Sequence, residues 1–308
     1  MWKTVILLLL TLIVLPTAAY YLDTQPTEEQ WILIKRLFWV YAIAAGSCFV
    51  LSVITKNHSQ VDKVWSIIPL AYAWIVYAEH PEDMRILVMA ILVSFWGIRL
   101  TLNFGRRGGY SWKFWTGEED YRWSVLQQRK EFKNPIAWLA FNLLFISFYQ
   151  MGLILLFTFP IVKSVGGTNP FGVWDIVVAI LMAALVIVEL VADNQQWKYQ
   201  TEKYRRKNNG EDLGEYYGKG FVHTGLWKIV RHPNYASEQA IWIVFYFFSV
   251  AATGLWINWS VVGCMLLVIL FKGSSDFSEG ISIEKYPEYK DYIKKTPRFV
   301  PFTKFNRK

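Results

Sequence analysis

Apolar runs long enough to cross a lipid bilayer occupy most of this 308-residue chain, and they restrict its fold more than any other feature. A transmembrane helix needs about 20 mainly apolar residues. With 54% hydrophobic residues, the chain is far more apolar than a soluble domain of its size. We therefore predict an all-α, polytopic transmembrane helical bundle of about eight spans. The predicted spans are residues 4–21, 33–54, 64–78, 86–103, 136–162, 173–195, 236–252 and 257–272.

The polar connections between these spans differ in charge. Residues 105–135, residues 195–236 and the tail from Lys272 hold 24 of the 32 Lys and Arg residues. Short cytoplasmic loops carry an excess of Lys and Arg, so these loops and the C-terminus are predicted to face the cytoplasm. Lys35 and Arg36 lie on the opposite side in this scheme.

The first segment has two interpretations. Lys3, an apolar core and a small-residue stretch before residue 20 fit a retained signal anchor, and they also fit a cleaved signal peptide that would leave seven spans. The rest of the topology is the same in both. The chain is predicted to be an integral, multi-pass protein of a bacterial inner membrane or an ER-type membrane.

Charge and composition argue against several classes of partner. The net charge of +8 is concentrated beside the spans. Membrane topology and contact with anionic membrane lipids explain this distribution better than nucleic-acid binding does. Cys48 and Cys264 lie inside predicted spans and the histidines have no ligand spacing, so neither a disulfide framework nor a metal site is predicted. Walker-type and Rossmann glycine patterns are missing. A nucleotide would therefore bind between membrane helices and their cytoplasmic loops.

The densest group of polar side chains lies where residues 225–242 lead into an apolar run. A cation, an imidazole, an amide, a phenol and a carboxylate occur there within eight residues: Arg231, His232, Asn234, Tyr235 and Glu238. Pro233 suits the start of a helix, after which Asn234, Glu238 and Trp242 recur at a spacing of four and share one helical face. Polar groups at membrane depth are costly, so this cluster is a candidate active site. The alternative is that Arg231 and His232 contact lipid headgroups at a helix entrance.

Two further clusters are predicted on the same side. Glu189 and Asp193 place two carboxylates on one face of the sixth span, followed by Gln196 and by the basic residues Lys198, Lys203, Arg205 and Arg206. They form either the mouth of a cofactor site or a structural helix end with snorkelling side chains. In the tail, Glu284, Tyr286, Tyr289 and Tyr292 predict either an interfacial amphipathic helix or a lid over a cofactor.

The N-terminal half contains three weaker candidates. They are the Ser59–Trp65 element, the Gly117–Trp123 element, and the polar residues Asn142, Tyr149 and Gln150 of the fifth span. Each could line a substrate pocket or donate a proton. Intramembrane Tyr and Gln side chains also stabilise helix packing through interhelical hydrogen bonds, and packing is the preferred interpretation for each residue taken singly.

The 225–242 region resembles the C-terminal signature of the steroid 5-alpha-reductase superfamily, in particular its bacterial multi-pass members of unassigned function. The matching strings are Gly225-Leu226-Trp227, Arg231-His232-Pro233-Asn234-Tyr235-x-x-Glu238, Trp242, Asp193-x-Gln195, and the tail segment Tyr286–Tyr292 with Val300-Pro301-Phe302. Ser237 stands where the family usually has Gly. The two N-terminal elements also match, so the resemblance begins at about residue 57. It predicts membrane anchor helices over 1–56 and a steroid-reductase-like catalytic domain over 57–308.

The resemblance implies reduction of an activated carbon–carbon double bond by NADPH. It places the nicotinamide end at Asn234 and Glu238, and the ribose or phosphates at Asp193, Arg231 and neighbouring basic residues. The full set implied for the cofactor is Asp193, Gln195, Lys198, Arg205, Leu226, Trp227, Arg231, His232, Asn234, Tyr235, Glu238, Glu284, Tyr289 and Tyr292. In the steroid enzymes a Tyr positioned by a carboxylate donates the proton, and the candidates for this pair are Tyr149, Tyr121 and Glu119.

The expected substrate is a hydrophobic, sterol-like, isoprenoid or long-chain enone that enters from the lipid. Two other functions compete with this interpretation. The isoprenylcysteine carboxyl methyltransferases share a related Arg-His-Pro-x-Tyr motif and use S-adenosylmethionine, although Asn234 with Glu238 is closer to the reductase pattern. A non-enzymatic lipid-binding protein is the third possibility, and the intact polar cluster argues against it because buried polar groups are costly without a ligand.

Overall fold

The computed structural model describes residues 13–113 and 117–303, which form helices joined by turns and loops and contain no strand. The all-α prediction is therefore confirmed for these residues. The helices are α1 (Leu15–Leu22), α2 (Glu28–Thr55), α3 (Gln60–Val64), α4 (Ile68–Glu79), α5 (Met84–Arg106), α6 (Tyr121–Gln127), α7 (Pro135–Ser164), α8 (Val173–Asn208), α9 (Gly214–Gly218), α10 (Leu226–Ile229), α11 (Pro233–Thr253), α12 (Val261–Lys285) and α13 (Tyr289–Lys295).

Five of the described helices, α2, α5, α7, α8 and α12, are long and apolar enough to cross a membrane. They indicate a multi-pass integral membrane protein. Their apolar side chains include many that are exposed on the protein surface, as expected where the solvent is lipid rather than water. Membrane lipids are thus the natural surroundings of these helices.

The predicted number of about eight spans is not confirmed. The first half of predicted span 4–21, residues 4–12, lies outside the described residues. Predicted span 64–78 forms α4, which has only 12 residues and is too short to cross a bilayer as a straight helix. Predicted span 236–252 lies within α11, whose first two turns include Asn234, Glu238 and Gln239.

The chain divides into two compact units. The larger unit comprises Met1–Ile180 and Ile243–Leu266, and the smaller unit comprises Leu181–Trp242 and Leu267–Lys308. The smaller unit contains the whole 225–242 motif and its predicted partners. The predicted division of the chain at residue 56 stays a prediction.

Three connections that lie outside the basic segments contact one another in the larger unit, through Asp23, Lys163 and Trp259. Lys163 pairs with Asp23 at 2.8 Å, and the same carboxylate accepts the backbone N–H of Trp259 at 3.0 Å. Arg36, which does not fit the charge pattern of this side, pairs with Glu79. The Arg36 side chain is exposed, so the pair with Glu79 partly offsets its charge but contributes little to stability.

Helix α7 contains a π-helical stretch, Asn142–Tyr149, in the middle of its apolar run. Asn142 Nδ2 donates a hydrogen bond to Ser52 Oγ of α2 at 2.7 Å, and both residues are buried. This bond is the interhelical packing role predicted for intramembrane amides.

Helix α7 also packs closely against α12. Gly263 lets α12 contact the α7 backbone, because a Cβ at this position would lie 2.2 Å from backbone atoms of Leu156 and Phe157.

Candidate functional site

The polar residues predicted on α8 and α11 come together in the smaller unit. Asn234 Nδ2 donates to Asp193 Oδ1 at 3.3 Å, and Trp242 Nε1 donates to Glu238 Oε1 at 3.0 Å. Asp193 and Glu238 are both buried, whereas Asn234 is half-buried. The four-residue spacing that predicted a shared helical face thus gives a real hydrogen bond within α11. Carboxylates and amides of this kind can hold the hydroxyl and amide groups of a ligand.

The short helix α10 is fixed to α8 by the predicted Asp193-x-Gln195 region. Gln195 Oε1 accepts the backbone N–H of Leu226 at 3.0 Å, and Trp227 Nε1 donates to the carbonyl oxygen of Ala192 at 3.1 Å. Gln195, Leu226 and Trp227 therefore hold two backbone segments together. Their observed contacts position α10 against α8, next to Asp193 in the sequence.

Gly225 allows this close packing. Its φ of 61° with ψ of −133° suits glycine, and a Cβ there would lie 2.5 Å from the Gln195 amide nitrogen. We expect Gly225→Ala to lower the free energy of unfolding by about 1–3 kcal/mol through backbone strain. Thermal unfolding of the purified protein measures this change. Gly218→Ala is the matched control, because a Cβ at Gly218 meets nothing within 4 Å; an equal loss in both variants would contradict the explanation.

Arg231 holds the C-terminal tail in place. Its Nε donates to Glu279 Oε1 at 2.8 Å, and its NH1 group donates to the carbonyl oxygens of Ile293 and Thr296. The backbone N–H of Arg231 also donates to the Pro297 carbonyl at 2.8 Å. The guanidinium is therefore committed to internal partners, and this role differs from the phosphate contact that the resemblance implies.

His232 shares the same carboxylate. His232 Nε2 lies 2.8 Å from Glu279 Oε1, and Arg298 donates to Glu279 Oε2 at 3.0 Å. The imidazole also stacks on Tyr235, with ring centroids 5.3 Å apart and an interplanar angle of 14°. Glu279 thus gathers three cationic or imidazole side chains around one buried carboxylate, in an arrangement we call the Glu279 clamp (Arg231, His232, Arg298 and Glu279).

Sequence reasoning missed Glu279. The sequence places it in a polar stretch after the last predicted span, 47 residues from His232, and no local spacing connects the two. A buried cation at Arg231 did require a carboxylate partner somewhere in the chain. The identity of that partner depends on tertiary structure.

The tail folds back onto the smaller unit through its tyrosines. Tyr292 donates its hydroxyl hydrogen to the Trp227 carbonyl oxygen, and the Phe221 ring centroid lies 4.9 Å from that of Tyr289. Burial raises the pKa of both Tyr289 and Tyr292, so both phenols stay protonated. Glu284 is exposed. These contacts hold the tail helix against the rest of the smaller unit, and both the lid and the interfacial helix stay predictions.

The basic residues predicted for phosphates have different environments. Arg205 pairs with Glu202 and Glu211 on the surface, and Lys198 is exposed. Lys203 is buried, with its Nζ 2.9 Å from the Gly220 carbonyl oxygen and 4.8 Å from the centre of the Tyr204 ring. Surface ion pairs of the Arg205 kind are weak and can exchange a carboxylate for a phosphate. Lys198 and Arg205 are thus the accessible cations of the predicted set.

The three predicted catalytic residues lie in the larger unit. Tyr149 is buried in the π-helical stretch and stacks on Phe145 at 5.2 Å. Glu119 Oε1 accepts the backbone N–H of His58, whereas Tyr121 is largely exposed. In these positions Tyr149 contributes to helix packing and Glu119 fixes a loop through the His58 backbone. The predicted catalytic role of both residues stays a prediction.

Hydrogen bonds join the Ser59–Trp65 element to the Gly117–Trp123 element in the same unit. Asp120 N donates to Ser59 Oγ at 2.9 Å, and Asn57 Nδ2 donates to the Gly117 carbonyl at 3.2 Å. Burial raises the pKa of Asp62 and lowers the pKa of His58, so both groups favour their neutral forms. The Trp138 indole N–H donates to His58 Nε2 at 3.1 Å, which suits a neutral imidazole.

Comparisons with known proteins give a family but no activity. A family model described as a protein of unknown function, DUF1295, matches residues 48–296. An uncharacterised protein of Schizosaccharomyces pombe is 36% identical over 264 residues, which is 82% of this chain and 74% of the relative. No solved structure matches. Among the described residues, no group of three or more His, Cys, Asp or Glu side chains could hold a metal ion.

Proposed function

The chain belongs to the DUF1295 family of proteins of unknown function, and we propose that it is a membrane-embedded reductase that uses NADPH to reduce an activated carbon–carbon double bond in a hydrophobic, lipid-like substrate. The observation that carries the proposal is the cluster formed in the smaller unit by the buried carboxylates of Asp193 and Glu238 and the half-buried amide of Asn234. These are the residues at which the resemblance to the steroid 5-alpha-reductase superfamily places a nicotinamide cofactor.

The chemistry of the cluster fits the nicotinamide and ribose half of NADPH. That half presents a carboxamide and ribose hydroxyls, which pair with carboxylate and amide side chains. Gln196, one turn beyond Asp193 on α8, has a buried Oε1 with no hydrogen-bond partner among the described residues. An acceptor in this state gains free energy when a ligand hydroxyl or amide donates to it.

The phosphates of NADPH would contact the accessible cations rather than Arg231. Lys198 follows the carboxylates on α8, and Arg205 lies two turns further along the same helix. Arg231 would act indirectly, because it fixes the tail through the Glu279 clamp. In this proposal the exposed cations Lys198 and Arg205 bind the phosphates, and the buried Arg231 positions the C-terminal tail.

When bound, NADPH would supply a hydride to the electron-poor carbon of the double bond. The chain's own residues would orient the cofactor and stabilise the change in charge at the substrate carbonyl. Asn234 would donate through its amide N–H groups, and Asp193 and Glu238 would accept hydrogen bonds. A tyrosine phenol would donate a proton to the oxygen of the enolate, and Tyr149 and Tyr121, with Glu119 as the orienting carboxylate, are the proposed candidates.

The proposed topology has about eight spans with the basic loops, the cofactor site and the C-terminus in the cytoplasm. Loop charge supports this orientation because 24 of the 32 Lys and Arg residues lie in three loops or tails. The cytoplasm is also where NADPH is available. The substrate would enter from the lipid, as a sterol-like, isoprenoid or long-chain enone.

Ligand-induced thermal stabilisation of the detergent-purified protein tests this proposal. We expect NADPH to raise the melting temperature, because a ligand that binds only the folded state stabilises it by mass action. Asn234→Ala and Glu238→Ala should each remove most of that increase. Gln239→Ala is the matched control, since Gln239 is buried on the same helix and donates to the Tyr235 carbonyl within it at 2.8 Å.

Parallel measurements with NADH and S-adenosylmethionine separate the alternatives. Stabilisation by S-adenosylmethionine alone would replace reduction with methyl transfer. The absence of stabilisation by all three ligands would contradict a nucleotide-dependent function. Loss of the NADPH response in Gln239→Ala as well would contradict a specific role of Asn234 and Glu238 in cofactor binding.

A further inference from the structure

Three lysines of the smaller unit lie close together, outside the residues assigned to the cofactor. Lys203 and Lys207 are one turn apart on α8, and Lys285 is the last residue of α12. The Lys203 Nζ lies 5.8 Å and the Lys285 Nζ 5.5 Å from the centre of the Tyr286 ring, so both ammonium groups lie against one side chain. We call Lys203, Lys207 and Lys285 the lysine cluster.

The members of the lysine cluster repel one another. The charges of Lys285 and Lys207 both act against the charged form of Lys203. Lys203 is buried, and its ammonium group donates to the Gly220 carbonyl oxygen at 2.9 Å, which uses one of its three N–H groups. Lys207 and Lys285 are exposed. Three like charges therefore meet, one from the interior and two at the surface.

No carboxylate of the described residues forms an ion pair with the lysine cluster. Glu202 pairs with two arginines of its own helix, and Glu288 pairs with Lys219 at 3.5 Å. Glu284 precedes Lys285, but neighbouring residues on a helix point in different directions. Like charges that lie close together without a counter-ion are destabilising, and a bound anion removes this cost.

The position of the lysine cluster along α8 favours a ligand from water over a membrane lipid. The predicted span of this helix ends at residue 195, and Lys203 follows about 12 Å further along the axis, at 1.5 Å per residue. The headgroup layer on each side of a bilayer is only about 5–8 Å thick. We therefore expect the lysine cluster to lie in the aqueous layer beyond the lipid headgroups.

We propose that the lysine cluster binds the phosphate monoester group of a soluble small molecule. A phosphate monoester has a charge of about −1.5 to −2 at pH 7 and three strong acceptor oxygens. Lys207 and Lys285 donate to these oxygens at the surface, and Lys203 adds its charge from beneath. A carboxylate, with a single negative charge, would leave more of the repulsion in place.

Limited acetylation of the native protein with acetic anhydride tests this site without any variant. Inorganic phosphate should slow the acetylation of Lys207 and Lys285 severalfold, as measured by mass spectrometry of the peptides. Lys272 is the internal control, because it is exposed and lies about 20 Å from Lys285 along α12. Sodium chloride at equal ionic strength controls for simple screening of charge.

Substitution provides a second measurement, in which calorimetry reports the affinity for inorganic phosphate. Lys207→Gln and Lys285→Gln should each weaken binding about tenfold, because each removes a hydrogen bond from a charged donor. Both side chains are exposed, where substitutions usually change stability little. Lys272→Gln should bind phosphate as the native chain does.

Two further ligands identify the source of the monoester. Tighter binding of adenosine 2′-monophosphate than of phosphate would support a nucleotide with a 2′-phosphate, such as NADPH, and equal binding would support a free phosphorylated molecule. Binding of lysophosphatidic acid alone would overturn the soluble source.

Other outcomes would overturn the site itself. They are equal slowing of acetylation by phosphate and by chloride, and an equal loss of affinity in Lys272→Gln. The measurements need neither NADPH nor a substrate of the reductase. Their failure would leave the proposed reductase activity standing, and failure of that activity would leave this site standing.

Discussion

Replacing Glu279 by glutamine is expected to release the C-terminal tail and to destabilise the smaller unit by about 3–5 kcal/mol. The Glu279 carboxylate accepts hydrogen bonds from Arg231 and Arg298 and pairs with His232. Removal of its charge would leave the Arg231 guanidinium buried without its counter-ion, and a neutral amide has only one oxygen to offer. Removing one partner of a buried ion pair costs more than the pair itself contributes.

Two measurements would check this expectation. Thermal unfolding would report the stability change, and limited trypsin digestion would report the tail, because Lys294 and Lys295 end α13. Both sites should be cut faster in Glu279→Gln. Glu284→Gln is the matched control on the same helix, since Glu284 is exposed and surface substitutions usually change stability by less than about 0.5 kcal/mol. Unchanged digestion in Glu279→Gln would show that the tail is held without the clamp.

The transmembrane helices could be predicted from sequence because the bilayer imposes one strong requirement. Long apolar segments must satisfy their own backbone hydrogen bonds, so length and hydropathy alone predict helices such as α5 and α8. The same signal could not separate a membrane-length helix from the 12-residue α4. The hydropathy of a membrane-length helix and that of α4 are alike. The length of α4 depends on where the chain turns before residue 68, and hydropathy does not encode this turn.

The candidate site could be predicted only where its contacts are local. The hydrogen bond between Glu238 and Trp242 follows from their four-residue spacing, and Pro233 starts α11 as predicted. Asn234 and Asp193 are 41 residues apart, and resemblance rather than periodicity placed them together. Glu279 was missed because two of its partners, His232 and Arg231, lie 47 and 48 residues away and the third, Arg298, lies 19 residues away.

The second large effect is expected in the larger unit, at the buried pair of Arg85 and Asp175. Arg85 Nε lies 2.6 Å from Asp175 Oδ1, and a second Arg85 nitrogen lies 3.1 Å from Oδ2, which gives bidentate geometry. Arg85 also donates to the carbonyl oxygens of Asn169 and Pro170, and Asp175 Oδ2 accepts the Gly172 N–H at 2.9 Å. The pair therefore organises the whole connection that precedes α8.

We expect Arg85→Ala to lower the free energy of unfolding by about 3–5 kcal/mol, because it leaves the Asp175 carboxylate buried without its cation. Arg36→Ala is the control, since Arg36 pairs with Glu79 at an exposed position where ion pairs contribute about 0–1 kcal/mol. The double variant Arg85→Met with Asp175→Leu should lose much less than Arg85→Ala, because it removes both charges. Equal losses in the single and double variants would mean that the backbone contacts of Arg85, rather than its charge, stabilise this connection; a small loss in both would show that water reaches the pair and screens it.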